Sequence, residues 1–279
     1  MSTNEPRQTK ADRRDAARAE ALALREAQAK RDKRNRAITI GALVGGLAVL
    51  IGAFLWVFIP AMQQKEARTT EPLTGVTAPA TANDTGGIPV GADGVAGTTN
   101  EDAVEVGVYF DYLCPVCGQF EDVNAASIDE MREAGDITLV QHPVSILDRL
   151  ASGSQFSTRS AATAAYVAEH APEQFNAFNE AMFANQPEEN TAGLTDAQLA
   201  EIARTAGVPA DVAEAIAAGT PVKEFGDWVE GATNLATQNP DLQGTRGFGT
   251  PTITIDGERW EGNWADPAEL KKAVEEAKA

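Results

Sequence analysis

Residues 104–120 read VEVGVYFDYLCPVCGQF, and within them the hydrophobic period changes from that of a strand to that of a helix. Of the first seven, Val104, Val106, Val108, Tyr109 and Phe110 are β-branched or aromatic, with no breaker except Gly107, the pattern of a buried strand. From Pro115 the period changes: Val116, Phe120 and Val123 share one helical face, Met131 lies further along it, and Gly135 is a natural stop. A strand therefore ends near Phe110 and a helix begins near Pro115, with Cys114 in its first turn. Unpaired backbone N–H groups and the positive end of the helix dipole favour a thiolate there. A cysteine so placed can have its pKa lowered from about 8.5 into the range of roughly 3.5–7.5. Pro115 is tolerated because a first-turn N–H has no helical partner to lose. Cys117 falls one turn on, on the same face, close enough to close a disulfide without unfolding the helix.

Cys114 and Cys117 are the only two cysteines in 279 residues. Zinc needs about four ligands, and beyond the two thiols there are only His142 and His170, neither at finger-like spacing. No metal is expected. A structural bridge enclosing two residues would restrict the unfolded chain far less than one closing a long loop. A redox couple accounts for the spacing: Cys114 attacks or is attacked, and Cys117 resolves the mixed disulfide.

Further along the chain, ITLVQH at 137–142 reads as a second strand. A helical block then covers about 150–242. Ser157–His170 and Pro172–Phe183 are candidate helices, Thr195 and Gln198 form a capping box, Asp211–Ala218 is a short helix, and Thr220 can cap the next one, with Pro221 in its first turn. PTITIDGERWEGN at 251–263 alternates Ile with Thr around the hairpin signal Asp256-Gly257, and Asp266-Pro267 opens a last helix. The class is α/β, with a helical insertion between strand–helix–strand and hairpin–helix halves.

Before this domain the composition changes three times. Residues 1–36 hold 11 Lys/Arg and 6 Asp/Glu and read as a charged cytoplasmic arm. Ala37 to Ile59, AITIGALVGGLAVLIGAFLWVFI, holds no charge, and its 23 residues reach roughly 34 Å as a helix, enough for the ~30 Å hydrocarbon core. A single transmembrane helix is expected over 37–60; a cleaved signal peptide is the rival, against which the length and late start argue. Lys30, Arg31, Lys33, Arg34 and Arg36 precede the span, which puts the N-terminus in the cytoplasm and the rest outside, at the cell membrane. Residues 61–100, rich in Thr, Ala, Gly and Pro, read as a flexible linker, and 101–279 as the folded domain. After the span, 35 acidic and 12 basic residues argue against nucleic-acid binding, which requires phosphate neutralisation.

FDYLCPVC at 110–117, a long helical insertion, and then GTPTI at 249–253 resemble the DsbA/DsbG-like branch of the thioredoxin superfamily. More closely, the chain looks like the membrane-anchored, extracytoplasmic DsbA-like proteins of actinobacteria. The resemblance covers about residues 88–279. It implies a thioredoxin fold with an inserted helical subdomain, a cis proline at Pro251 facing the cysteines, and a backbone at Thr250 that pairs with an extended substrate segment. Pro115, Val116, Thr250 and Pro251 then support the Cys114–Cys117 couple. An ordinary trans proline at a strand start is the bland alternative for Pro251.

These readings lead to an extracytoplasmic thiol–disulfide oxidoreductase that forms or exchanges disulfides in reduced or unfolded exported proteins. It needs no cofactor beyond its own disulfide. The resemblance implies reoxidation by a quinone-linked membrane oxidase of DsbB or VKOR type. Strongly oxidising relatives often carry histidine where this chain has Val116, so a less oxidising couple is expected here; Thr250 keeps isomerisation open. An isomerase, a specialised reductase and a redox-independent, chaperone-like binding module are the alternatives. Asp111 reads as a solvated strand-end acid or a proton relay, and His142 as a hydrogen-bonded structural histidine or a neighbour of the site.

Overall fold

The structure, a computed structural model, describes residues 73–278 together with Lys30, Arg31 and Lys33. The rest of the arm, the expected span over 37–60 and residues 61–72 of the expected linker lie outside the described residues. The chain divides into two units, Met1–Lys65 and Glu66–Ala279, and the second carries the fold described below. Among the described residues no helix is long and apolar enough to cross a membrane.

The sheet has five strands: β1 (Ile88–Val90), β2 (Val104–Phe110), β3 (Ile137–Pro143), β4 (Thr252–Ile255) and β5 (Glu258–Trp260), in the order β1-β3-β2-β4-β5. β2 is central. It runs parallel to β3 from Val104 opposite Ile137 to Phe110 opposite Pro143, and antiparallel to β4, with Tyr109 opposite Thr252. Burial on both faces explains the unbroken apolar run read in the sequence. Gly107 is required by a close approach: a Cβ there would lie 2.3 Å from Thr254 Oγ1 on the neighbouring strand.

The helix α1 (Pro115–Glu133) follows β2 directly. The helical block is α2 (Phe156–His170), α3 (Phe175–Ala184), α4 (Asp196–Thr205), α5 (Ala210–Ala217) and α6 (Thr220–Gln238), and α7 (Pro267–Ala277) ends the fold. The Thr195–Gln198 capping box is present in full. At α6 the expected cap is different: Thr220 is the first helical residue, and Gly219, with φ of +69°, precedes it with no side-chain cap. A glycine adopts that left-handed conformation at little cost, so the turn is made by the backbone rather than by a hydroxyl. One large core joins the sheet to the helical block, with Phe156, Phe175, Phe178, Phe225 and Trp228 wholly buried. Full burial of each such side chain is worth roughly 1.5–3 kcal/mol, which makes the block part of the same folded body.

The flexible linker expected over 61–100 is corrected from residue 73 onward. Ile88 and Val90 are fully buried, and β1 closes the sheet by pairing antiparallel with β3. Polar bonds order the rest: Asn100 Nδ2 donates to Ile137 O at 2.6 Å, Arg132 Nη1 donates to Gly91 O at 2.8 Å, and Asn83 Oδ1 accepts from the N–H of Gly87 at 2.9 Å. Composition misses this segment because its buried apolar anchors, Ile88 and Val90, are few and the rest of its order comes from backbone pairing and polar side chains.

Candidate active site

Cys114 is the N-cap residue of α1 and Pro115 its first helical residue. The connection from β2 is short, so the strand end aims the helix head, and Cys114 N–H donates back to Asp111 O at 2.9 Å. Both cysteines are free thiols. Cys117 is 1% exposed and Cys114 5%, while Val116 between them is 41% exposed and stands at the rim. Cys114 lines an open groove with Val116, Ile146, Phe248, Gly249 and Thr250.

The loop before β4 reaches the cysteines from far downstream. The Thr250–Pro251 peptide bond is cis. Cys114 Sγ donates to the Thr250 carbonyl oxygen at 3.4 Å. Of the residues expected at the site, Cys114, Pro115, Val116 and Thr250 line this one groove; Cys117 is buried and hydrogen-bonded to Cys114, and Pro251 follows Thr250 without lining the groove itself.

The two thiols have opposite electrostatics. A hydrogen bond from the Cys117 thiol holds the Cys114 thiolate, helped by the Thr250 side chain and by the backbone N–H groups of Cys117 and Val116, and together these lower the Cys114 pKa to about 7 against the cost of burial. Burial, followed by the neighbouring Cys114, pushes Cys117 well above the ordinary thiol range. One sulfur is therefore available as a thiolate near neutrality and the other is held as a thiol.

Asp111 does not sit in solvent as the sequence suggested. Its side chain is fully buried, with Oδ1 accepting from Leu113 N–H at 2.9 Å and Oδ2 from Leu147 N–H at 3.0 Å. It ties the loop after β2 to the loop after β3, and burial raises its pKa to about 6. His142 is a structural residue: it is buried, stacked on Tyr109 with ring centroids 3.9 Å apart, and burial lowers its pKa to about 3.

Two further side chains hold the site, and sequence reasoning did not find them. Gln186, just past α3, donates Nε2 to Tyr112 O at 3.0 Å and to Cys114 O at 2.8 Å. Arg259 on β5 donates Nη1 to Leu242 O and to Thr252 Oγ1, both at 2.8 Å, bracing the segment that carries Thr250. Neither belongs to a motif, and Gln186 is 72 residues from Cys114. The one sequence signal was Gly118 within a helix, whose Cβ, if present, would lie 2.5 Å from Gln186 Oε1. Among the described residues no group of three or more His, Cys, Asp or Glu is placed to hold a metal ion.

A central parallel strand pair, a helix headed by a C-x-x-C pair and a cis-proline loop facing it define a thioredoxin-type domain. A thioredoxin family model matches residues 94–276, and the chain belongs to that family. Among solved structures it is similar to reduced DsbA from Mycobacterium tuberculosis, with 30% identity and a TM-score of 0.56 over 69% of this chain and 92% of that one. It is also similar to the reduced disulfide bond oxidoreductase DsbG of the same organism, with 29% identity and a TM-score of 0.54 over 68% of this chain and 86% of the other. The thiol–disulfide oxidoreductase MdbA of Actinomyces oris, 22% identical with a TM-score of 0.56, shares the fold. A curated relative, the serine/threonine-protein kinase PknE of M. tuberculosis, is 28% identical over 190 residues, which are 65% of this chain and 31% of the kinase. That likeness concerns under a third of the kinase's length.

Proposed function

We propose that this domain is a thiol–disulfide oxidoreductase that forms or exchanges disulfides in exported proteins through Cys114 and Cys117. The observation that carries this reading is the Cys114 sulfur at the head of α1, lining an open groove and 3.4 Å from the Thr250 carbonyl. In the oxidised form a substrate thiolate attacks Cys114 Sγ, forming a mixed disulfide and releasing Cys117 as the leaving thiolate, which takes up a proton. A second substrate thiolate then attacks the substrate sulfur of that mixed disulfide and expels the Cys114 thiolate. The substrate is oxidised by two electrons and the site is left as a dithiol. Thiolate stabilisation makes Cys114 the better leaving group of the two.

The backbone at Thr250, beside the groove and just before β4, is suited to pair with substrate main chain, and the apolar rim of Val116, Ile146 and Phe248 to accept side chains of varied sequence. Net oxidation favours a membrane oxidase of DsbB or VKOR type as the electron acceptor, and an anchored, extracytoplasmic placement follows from the uncharged run over 37–59. Isomerisation and reduction use the same two sulfurs and differ in which form is regenerated.

The test is Cys117→Ala: its lone Cys114 thiolate attacks a disulfide of an exported protein, expels one substrate thiolate and, with no Cys117 to displace it, should stay linked to that substrate as a covalent adduct. Absence of adducts, with no oxidative refolding or insulin-reductase activity in the wild type, would refute the reading in favour of a redox-independent binding module. The equilibrium with glutathione assigns the direction: a potential near about −120 mV means donation of disulfides, and one near about −270 mV means reduction.

A further inference from the structure

The helical block grips the loop that carries Cys114 at three points. Phe183 packs against Phe110 and Tyr112, with ring centroids 5.3 and 5.1 Å apart. Tyr112 OH donates to Asn179 Oδ1 at 2.8 Å. Gln186 makes the third contact, and it is the one that reaches the cysteine itself.

The Cys114 carbonyl is the first acceptor of α1, taking the N–H of Cys117 at 3.0 Å and of Gly118 at 3.3 Å. Gln186 Nε2 adds a third donor at 2.8 Å from outside the helix, and the same nitrogen holds Tyr112 O. The Cys114 peptide is thus fixed between its own helix and the block. The absence of a side chain at Gly118 makes room for this, since a Cβ would meet Gln186 Oε1 at 2.5 Å. Glycine in a helix interior costs about 1 kcal/mol relative to alanine, so its use here indicates a fitted slot.

We propose that Gln186 is a positioning residue for the thiol chemistry of Cys114, holding the Cys114 carbonyl so that the sulfur stays against the N–H groups at the head of α1. Through it the helical block sets the reactivity of a sulfur that none of its residues needs to touch. Released from Gln186, the Cys114 peptide can rock about the strand–helix junction. The sulfur then leaves the Val116 and Cys117 N–H groups that stabilise its charge. This assignment rests on the reading of Cys114 as the reacting thiol.

The test compares Gln186→Met, which keeps the length and removes the donor, with Gly118→Ala, which keeps Gln186 and fills its slot. Each is made in the full chain, reduced, and the pH profile of Cys114 alkylation by iodoacetamide is followed by mass mapping. Both should react about threefold to tenfold more slowly than wild type at pH 6, with the midpoint of the profile moved upward. Gly118→Ala should do so with a smaller loss of thermal stability than Gln186→Met, because the helix gain from alanine offsets part of the broken bonds. The double variant should match the larger single effect, since both changes remove one interaction. An unmoved midpoint in either single variant, or a double variant whose shift is the sum of the two, overturns the assignment. A wild-type midpoint near that of free cysteine instead counts against the redox reading, while the comparison among variants still decides the role of Gln186.

Discussion

Cys114 Sγ lies 3.4 Å from the carbonyl oxygen of Thr250, a residue 136 positions later in the chain. The carbonyl can only accept, so this bond holds the protonated sulfur and is lost on ionisation. The donors that favour the thiolate come from Cys117, the Thr250 side chain and the head of α1. The thiol thus has a partner in each charge state, as a group that changes charge during turnover requires.

The first prediction concerns that titration. Cys114 should be alkylated with a midpoint near pH 7, well below the usual thiol value, and Cys117 should stay unreactive while the protein is folded. The lowered pKa also fixes a sign. Between about 7 and 9 the folded thiol is ionised and the unfolded one protonated, so the reduced form gains stability as pH rises and loses it as pH falls through about 7. Urea titrations of reduced wild type and Cys114→Ser at pH 6 and 8.5 measure it: the difference between them should be larger at 8.5.

Val116 is exposed at the groove rim, so a polar replacement there leaves the core intact. Val116→His would set an imidazole beside the thiolate, and its protonated form stabilises the reduced, ionised state. The potential should move toward the oxidising end and the Cys114 midpoint should fall. Equilibration with glutathione checks this, and an unchanged or lower potential would contradict it.

Asp111 accepts two backbone N–H groups in full burial. Asp111→Ala leaves both donors unpaired, at roughly 1–3 kcal/mol each, and frees the Cys114 loop from the loop at Leu147. Since burial raises the folded pKa to about 6 from 3.8, the wild-type acid loses stability as pH rises between those values and carries the full penalty above 6. The deficit of Asp111→Ala should therefore be about 2 kcal/mol larger at pH 4 than at pH 7.5, as measured by denaturant unfolding.

His142 works in the opposite sense. Its folded pKa is lowered from 6.5 to about 3, so the native state stays neutral while the unfolded chain takes up a proton. Stability is lost as pH falls below about 6.5, and the loss ends near 3. His142→Gln carries a constant cost from the lost stacking on Tyr109 but should flatten this slope. Unfolding free energies at pH 4 and 7 give the slope, and equal slopes in the two proteins would refute the assignment.

The parts of the fold written in local patterns were legible in the sequence. β2 runs from Val104 to Phe110 as its composition says, and the Thr195–Gln198 box and the Asp256-Gly257 turn lie where their chemistry places them. What stayed hidden depends on residues distant in sequence. Asp111 looked like a strand-end acid because nothing nearby reveals that Leu147 N–H caps its second oxygen. Gln186 and Arg259 act through side-chain bonds to carbonyls, which leave no periodic trace. β1 is three residues long, too short to show a period, and is ordered by its neighbour.

That short strand has a practical consequence for anyone cutting the chain. β1 covers the outer edge of β3, pairing Ile88 with Gln141 and Val90 with Leu139. A fragment begun at residue 101, where composition alone would place the domain, bares that edge as a row of unsatisfied amides and carbonyls beside apolar side chains. Such an edge recruits strands from other molecules, so the fragment would precipitate or swap, and a fragment begun before Ile88 is the one to purify.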